Sequence, residues 1–276
     1  MPLEEADIVI RPLNNSLKPT LSDLFRYRRT FFNLLTRDLR RQYVDLKLGF
    51  IWTFSQPVLM TLIFAALKHG SGARVGVDIP YTLYLLSGCI FWFTWVDICR
   101  TTTTADRINA GLISKVFFPR LYSPLAAATS KLVAYALGLI PILILQSFLG
   151  LWPSWTVILL PAVLVQGVLL GFSVGVIFAI LSLQSRDWDR VLGQILYLGL
   201  FVSPVVYSPQ AIPEKIRTIY KLNPMAGVIE AFRASLIGQL DFPWVSWGYS
   251  CCITAIMLLF AVYLFKRTEA RLLDEL

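Results

Sequence analysis

The chain has 276 residues, of which 56% are hydrophobic and only 15% charged, with a mean hydropathy of +0.64. A soluble domain usually carries about 25% charged residues, and a globule of this size lacks the interior to hide such an apolar excess. A water-soluble enzyme, a disordered chain and a fibre are therefore excluded, and the net charge of +8 concerns the placement of basic residues about a bilayer rather than nucleic acid.

The first residues, MPLEEADIVIRPLNN, lack the basic-then-apolar order of a cleavable signal. Residues 1–20 read as a cytoplasmic tail, and the first span is expected to act as an uncleaved signal. From Ser22 to Tyr43, Leu24, Tyr27, Phe31, Leu34, Leu35 and Leu39 recur at helical spacing. Arg26, Arg29, Arg37, Arg40 and Arg41 fill the other faces. This pattern predicts an amphipathic interfacial helix over 21–45, capped by Ser22 or Asp23.

A spanning helix needs about 20 mostly apolar residues. Six segments qualify within a single transmembrane domain covering 46–276: about 46–67, 81–99, 123–148, 155–183, 190–208 and 246–265. With six spans, one face of the bilayer holds 18 of the 25 basic residues. The basic bias puts both termini in the cytoplasm. The fold class is an all-α membrane protein of six helices, N-in and C-in.

The loop after the second span, RTTTTADRINAGLISKVFFPRLYSP, predicts a short cytoplasmic helix from Thr104 or Ala105 to Lys115, capped by threonine. It suits insertion into a cleft on a soluble protein, or simply a solvated loop. Asp97 and Lys131 lie inside spans; snorkelling to the cytoplasmic face explains both, and a mutual salt bridge is the alternative. Gly167, Gly171 and Gly175 form a small-residue stripe on the fourth span, which lets helices approach closely within one subunit or across a dimer.

Ser203–Pro204 is expected to break the end of the fifth span. Beyond it, Pro224 to Ile237 reads as a helix too short to cross, dipping into the outer leaflet or lying upon it. Glu230 and Arg233, three residues apart, are placed to pair on its polar face. Trp52, Trp92, Trp95 and other aromatics serve as an interfacial belt and core. Trp52 and Trp92 also suit the apolar faces of sugar rings if they line a path.

One histidine, His69, stands in the chain, and no G-x-x-x-x-G-K-[ST] phosphate loop is present, so neither a histidine metal cluster nor that route to ATP is available. Cys89, Cys99, Cys251 and Cys252 all fall in apolar runs, where they behave as small hydrophobes rather than disulfide or zinc ligands.

Several motifs, taken in order, resemble one family. Arg37-Asp38-Leu39-Arg40-Arg41-Gln42-Tyr43 is followed by Leu48-Gly49, Trp52 and Pro57, and then by Ile113-Ser114-Lys115-Val116-Phe117-Phe118-Pro119-Arg120. Ser185-Arg186-Asp187, Ser203-Pro204-Val205-Val206-Tyr207, Leu222-Asn223-Pro224-Met225 and Glu230-x-x-Arg233 complete the set. The ensemble is similar to the permease subunits of type-2 ABC exporters that move lipid-linked polysaccharides such as O-antigen, capsule and teichoic acid. Gln42 departs from that pattern, which often has a basic residue before the tyrosine.

The resemblance implies a homodimer with two copies of a separate nucleotide-binding subunit, in the bacterial cytoplasmic (inner) membrane. ATP and Mg belong to that partner, with no cofactor or catalytic residue in this chain. It implies a coupling helix bearing Asp106, Arg107, Asn109, Leu112 and Lys115. It also implies a pathway along spans one and five with Tyr43, Trp52, Trp92, Trp95 and Tyr207, and a lipid-phosphate entrance at Arg37, Arg40 and Arg41. The same fold exporting a lipid or drug is the alternative. An intramembrane enzyme would need clustered carboxylates or histidines at one depth, and only Asp97 is present there.

Overall fold

The computed structural model describes residues 28–44, 49–71, 79–109, 120–208 and 222–274, all of them helix or short connections. Residues 1–27, including the expected N-terminal tail and the first part of the interfacial helix, and the 110–119 stretch with Leu112 and Lys115 lie outside the described residues.

Helix α1 (Arg28–Leu39) opens into a π-helical turn at Arg40–Val44. Its apolar face carries Phe31, Leu34 and Leu35 at three-and-four spacing and packs on Tyr122, Leu125 and Ala126. Helix α2 (Gly49–Ser71) contains Pro57, whose carbonyl accepts the Thr61 hydroxyl at 2.8 Å. Helix α3 (Tyr81–Ile108) is the hub, with most of its residues buried against α2, α4 (Tyr122–Leu149), α5 (Leu160–Gln184) and α7 (Pro224–Leu236). Helix α6 (Asp187–Val202) and the long α8 (Trp244–Asp274) complete the bundle.

Among the described residues, four segments are long and apolar enough to cross a bilayer: α3, α4, Trp155–Gln184 and Trp244–Thr268. The apolar part of α2 is shorter, Thr53–Lys68. The 16 residues of α6 extend about 24 Å, short of the hydrocarbon thickness. The expected span 190–208 therefore ends early. Ser203 is extended at the C-cap, because Pro204 cannot donate and clashes with the preceding turn.

The threonine run behaves differently from the capping role expected of it. Helix α3 continues unbroken to Ile108 instead of ending near residue 99 and restarting. Thr101, Thr103 and Thr104 donate back to the carbonyls of Asp97, Cys99 and Arg100 at 2.7, 2.8 and 3.0 Å. These three hydroxyls are satisfied inside the helix, and that of Thr102, buried against Gly175, caps nothing either. The helix ends at Asn109, whose buried amide donates to Ser123 Oγ at 2.8 Å and joins the start of α4.

The glycine stripe packs within the chain. A Cβ on Gly167, Gly171 or Gly175 would meet Phe91, Ile98 or Thr102 of α3 at 2.5–2.8 Å. Close backbone approach replaces the hydrophobic drive that lipid cannot supply.

Helix α7 is not a surface helix. Eleven of its 13 residues are buried, wedged among α3, α5 and α8. Asn223 caps it by accepting from Met225 N at 3.0 Å, and Pro224 occupies the first turn, where its missing N–H costs nothing. Arg233, expected on a polar face beside Glu230, is instead 1% exposed.

Gly175→Ala is expected to lower stability by about 1–3 kcal/mol, the usual range for overpacking, although alanine is the better helix former. Gly248→Ala, where nothing lies within 4 Å, should leave the melting temperature in detergent unchanged or raised. Thermal unfolding of the two purified variants makes the comparison.

Candidate functional site: a polar cavity and two braced helix ends

A cavity of about 380 Å³ opens among α2, α3, α4 and α6, with Gln42 of the π-turn at its edge. Its lining mixes Thr53, Gln56, Thr94, Asp97, Arg100 and Lys131 with Met60, Trp92, Leu196, Tyr197 and Leu200. At its centre Lys131 Nζ donates to Asp97 Oδ2 at 2.5 Å. The salt bridge, not independent snorkelling, is what the structure holds. Lys131 is 7% exposed and Asp97 48%. The ammonium is thus enclosed between helices, and a carboxylate on the neighbouring helix compensates it.

The expected pathway residues divide. Tyr43 is half-buried beside the cavity, its hydroxyl accepting from Gln42 Nε2 at 2.9 Å. Burial, aided by the Asp97 charge and opposed by a hydrogen bond with Thr53, pushes its pKa up to about 12. It therefore stays a neutral phenol at every physiological pH. Gln42, the departure from the family pattern, is itself a lining residue.

Trp92 lines the cavity but is buried. It is tilted against Trp95 with centroids 5.2 Å apart and packed so closely on α6 that a Cβ at Gly199 would stand 2.8 Å from its ring. The aromatic with an open face is Tyr197, 63% exposed. The sequence marked it only as one of several aromatics in the fifth expected span. Trp52 lies in the first turn of α2, with its side chain outside the described residues. Tyr207 lies at the far end of α6, where its hydroxyl donates to the Phe201 carbonyl at 2.5 Å.

At that far end, the segment after α6 is held by side chains of α3 and α7. Arg233 donates to the carbonyls of Pro204, Val205 and Tyr84, the last two at 2.9 and 3.2 Å. Tyr81 and Tyr84 donate to the carbonyls of Val206 and Tyr207, each at 3.0 Å. The guanidinium also lies 3.6 Å from the centroid of the Tyr84 ring, a favourable cation–π placement.

At the opposite end, Arg107 forms two parallel bonds to Asp189, at 2.7 and 2.9 Å. Ser182 Oγ donates to the same carboxylate at 2.8 Å. The Arg107 hydrogen bonds hold the Asp189 carboxyl below its usual range. A depressed pKa favours the bonded state while the group is charged, so the pair is intact at neutral pH and is lost only as pH falls through that lowered value.

Arg37 pairs with Asp38 at 2.7 Å, while Arg40 and Arg41 project, exposed, from the π-turn. Asn109 is buried against Ser123 rather than presented outward. Asp106 is half-buried one residue before Arg107. Among the described residues, no group of three His, Cys, Asp or Glu is placed to hold a metal ion.

The chain matches the family described as "ABC-2 type transporter" over residues 29–237. It is 27% identical over 247 residues to the O-antigen export system permease protein RfbA of Klebsiella pneumoniae, covering 88% of this chain and 93% of that protein. It is 22% identical to the polysialic acid transport protein KpsM of Escherichia coli over 88% of this chain and 94% of that one. A third relative is the daunorubicin resistance ABC transporter permease protein DrrB1 of Streptomyces coeruleorubidus, 24% identical over 72% of this chain and 71% of its own length.

Asp97→Asn alone should strand the Lys131 ammonium and destabilise the fold by about 2 kcal/mol, less than for a fully enclosed pair because Asp97 is half-exposed. The double variant Asp97→Asn/Lys131→Met is expected to recover most of that loss. Size-exclusion profiles and melting curves of detergent-solubilised protein read both.

Proposed function

The chain belongs to the ABC-2 type transporter family, and we propose that it is the permease subunit of an ATP-driven exporter of a lipid-linked polysaccharide. In this reading two copies of the chain pair with two copies of a separate nucleotide-binding subunit that carries ATP and Mg. The bundle crosses the cytoplasmic membrane six times, counting α2 and α6, with both termini in the cytoplasm.

The observation that carries the substrate class is the lining of the cavity. Two glutamine amides, two threonine hydroxyls, the Asp97–Lys131 pair and the Arg100 guanidinium share the lining with the exposed Tyr197 and with apolar side chains such as Met60, Phe93 and Leu200. Planar amides and carboxylates match hydroxyl pairs on a sugar, and the Tyr197 ring offers an apolar platform for a pyranose face. The relatives named for O-antigen and polysialic acid are aligned over nearly their whole lengths. The drug-resistance relative is covered less fully. This favours a polysaccharide over a drug.

The apolar side chains that α2 and α6 leave exposed, among them Leu59, Leu62, Ile195, Leu198 and Val202, supply a surface for the second copy. The substrate path then runs between the two copies, past Tyr43 and Trp52 and along Trp92, Trp95 and Tyr197 toward Tyr207. A lipid diphosphate enters at Arg37, Arg40 and Arg41, where guanidinium forks suit phosphate oxygens. The 110–119 segment, with Leu112 and Lys115, sits in the nucleotide-binding subunit, and Asp106, Arg107 and Asn109 support it from the end of α3.

The test is purification together with the nucleotide-binding subunit, followed by export in proteoliposomes. ATP-dependent movement of a lipid-linked oligosaccharide is expected; transport by the chain alone without ATP would overturn the reading. Tyr197→Ala should reduce polymer export roughly tenfold, the loss of one aromatic contact, while membrane insertion remains normal by immunoblot.

A further inference from the structure

The Arg107–Asp189 pair lies at the end of the bundle where α3 leads into the 110–119 segment, and it joins helices that are distant in sequence. Arg107 is in the last turn of α3 and Asp189 in the first turn of α6. Ser182, near the end of α5, holds the same carboxylate. One carboxylate thus gathers three helices at the point where the chain leaves for the α3–α4 connection.

At that end helix α6 is otherwise held by an edge-on ring contact between Trp188 and Phe178 of α5, with centroids 6.3 Å apart. Its buried residues are Leu192, Leu196 and Leu200, a single row four residues apart. Gly193 has no neighbour within 4 Å of a Cβ built on it, and Ile195, Leu198 and Val202 face outward. A single apolar row leaves a helix free to roll and slide, whereas a forked pair of bonds fixes both distance and orientation. The same helix contributes Leu196, Tyr197 and Leu200 to the cavity.

We infer that Arg107 and Asp189 are positioning residues that form a strut, passing displacement of the α3–α4 connection to α6 and so to the cavity wall. Arg107 acts through Asp189 within this chain rather than as a contact to a partner protein. The strut rests on the permease reading above, because it needs a nucleotide-binding subunit to push on the connection. Arg107 and Asp189 are 40% and 33% exposed, and a pair this accessible contributes little to folding stability. Its removal should therefore affect transmission while leaving the fold intact.

The test uses the full complex with its nucleotide-binding subunit in proteoliposomes, measuring ATP hydrolysis, export of lipid-linked oligosaccharide and melting temperature for each variant. Arg107→Gln and Asp189→Asn should each keep the partner bound, the melting temperature and hydrolysis near the parent's. Export should fall roughly fivefold or more, the scale of one lost link between coupled sites. Arg107→Lys keeps the charge but not the fork, and should export at an intermediate rate. The exchange Arg107→Asp/Asp189→Arg should recover export to at least half of the parent's.

Parental export by both single variants would overturn the strut. So would loss of partner binding by Arg107→Gln that Asp189→Asn does not share, since Arg107 would then be a partner contact. If the unsubstituted complex shows no ATP-dependent export, the permease reading itself fails, whatever the variants do.

Discussion

A helix that stops inside a membrane leaves carbonyl oxygens with no water to bond, and each must find a donor within the protein. The same demand arises where backbone is buried in protein, as in the non-helical segment after α6 ends at Val202, and the Arg233 guanidinium is the principal answer to it there. Carbonyls of the four residues Pro204 to Tyr207 are taken by Arg233, Tyr81 and Tyr84, and Asn223 donates to Ser203 Oγ at 3.0 Å. A buried cation without a carboxylate partner is costly, but three carbonyl dipoles and the Tyr84 ring offset that cost.

Much of the architecture follows. Helix α7 must enter the bundle to bring Arg233 there, so its surface is small and apolar: Ala226, Gly227, Ala231 and Ala234 are all buried. A Cβ at Gly227 would stand 2.3 Å from the Ser246 carbonyl oxygen of α8. Gly88 of α3 has to lack a side chain, because a Cβ there would lie 2.1 Å from an Arg233 terminal nitrogen. The rest of the short helix is attached through Gln146, which donates to the Leu236 carbonyl, and Thr156, which donates to that of Ala234, both at 2.8 Å. The Arg233 end is a hydrogen-bonded assembly of α3, α7 and the α6 terminus. At the other end an exposed ion pair holds α6, and the cavity, lined by both polar and apolar side chains, lies between the two.

The all-helical, membrane-spanning character was legible because apolar length and Pro, Gly and Ser breaks are local properties. The glycine stripe of α5 and the break at Ser203–Pro204 both proved to be structural devices, and the ordered motifs led to the right family. What the sequence left undecided or missed was pairwise and distant. Asp97 and Lys131 are 34 residues apart, so their salt bridge could be named only as the alternative to snorkelling. The threonine run carries the residue types of an N-cap, yet a hydroxyl that can bond four residues back gives no boundary. Glu230 and Arg233 have the spacing of a surface pair, and only the broken α6 terminus reveals where Arg233 is needed. Trp92 suited a path lining by its residue type, and it does line the cavity, but close packing on Gly199 of another helix leaves it buried.

The central claim is that the cavity beside the Asp97–Lys131 pair carries sugar. The most direct measurement places a photo-crosslinking amino acid at position 197 in cells making the polymer. Light-dependent attachment of polysaccharide to the permease, detected with an antibody to the polymer and requiring an active nucleotide-binding subunit, is the predicted result. Attachment only to lipid or to a second copy of the chain, with the polymer captured elsewhere on the protein, would contradict it.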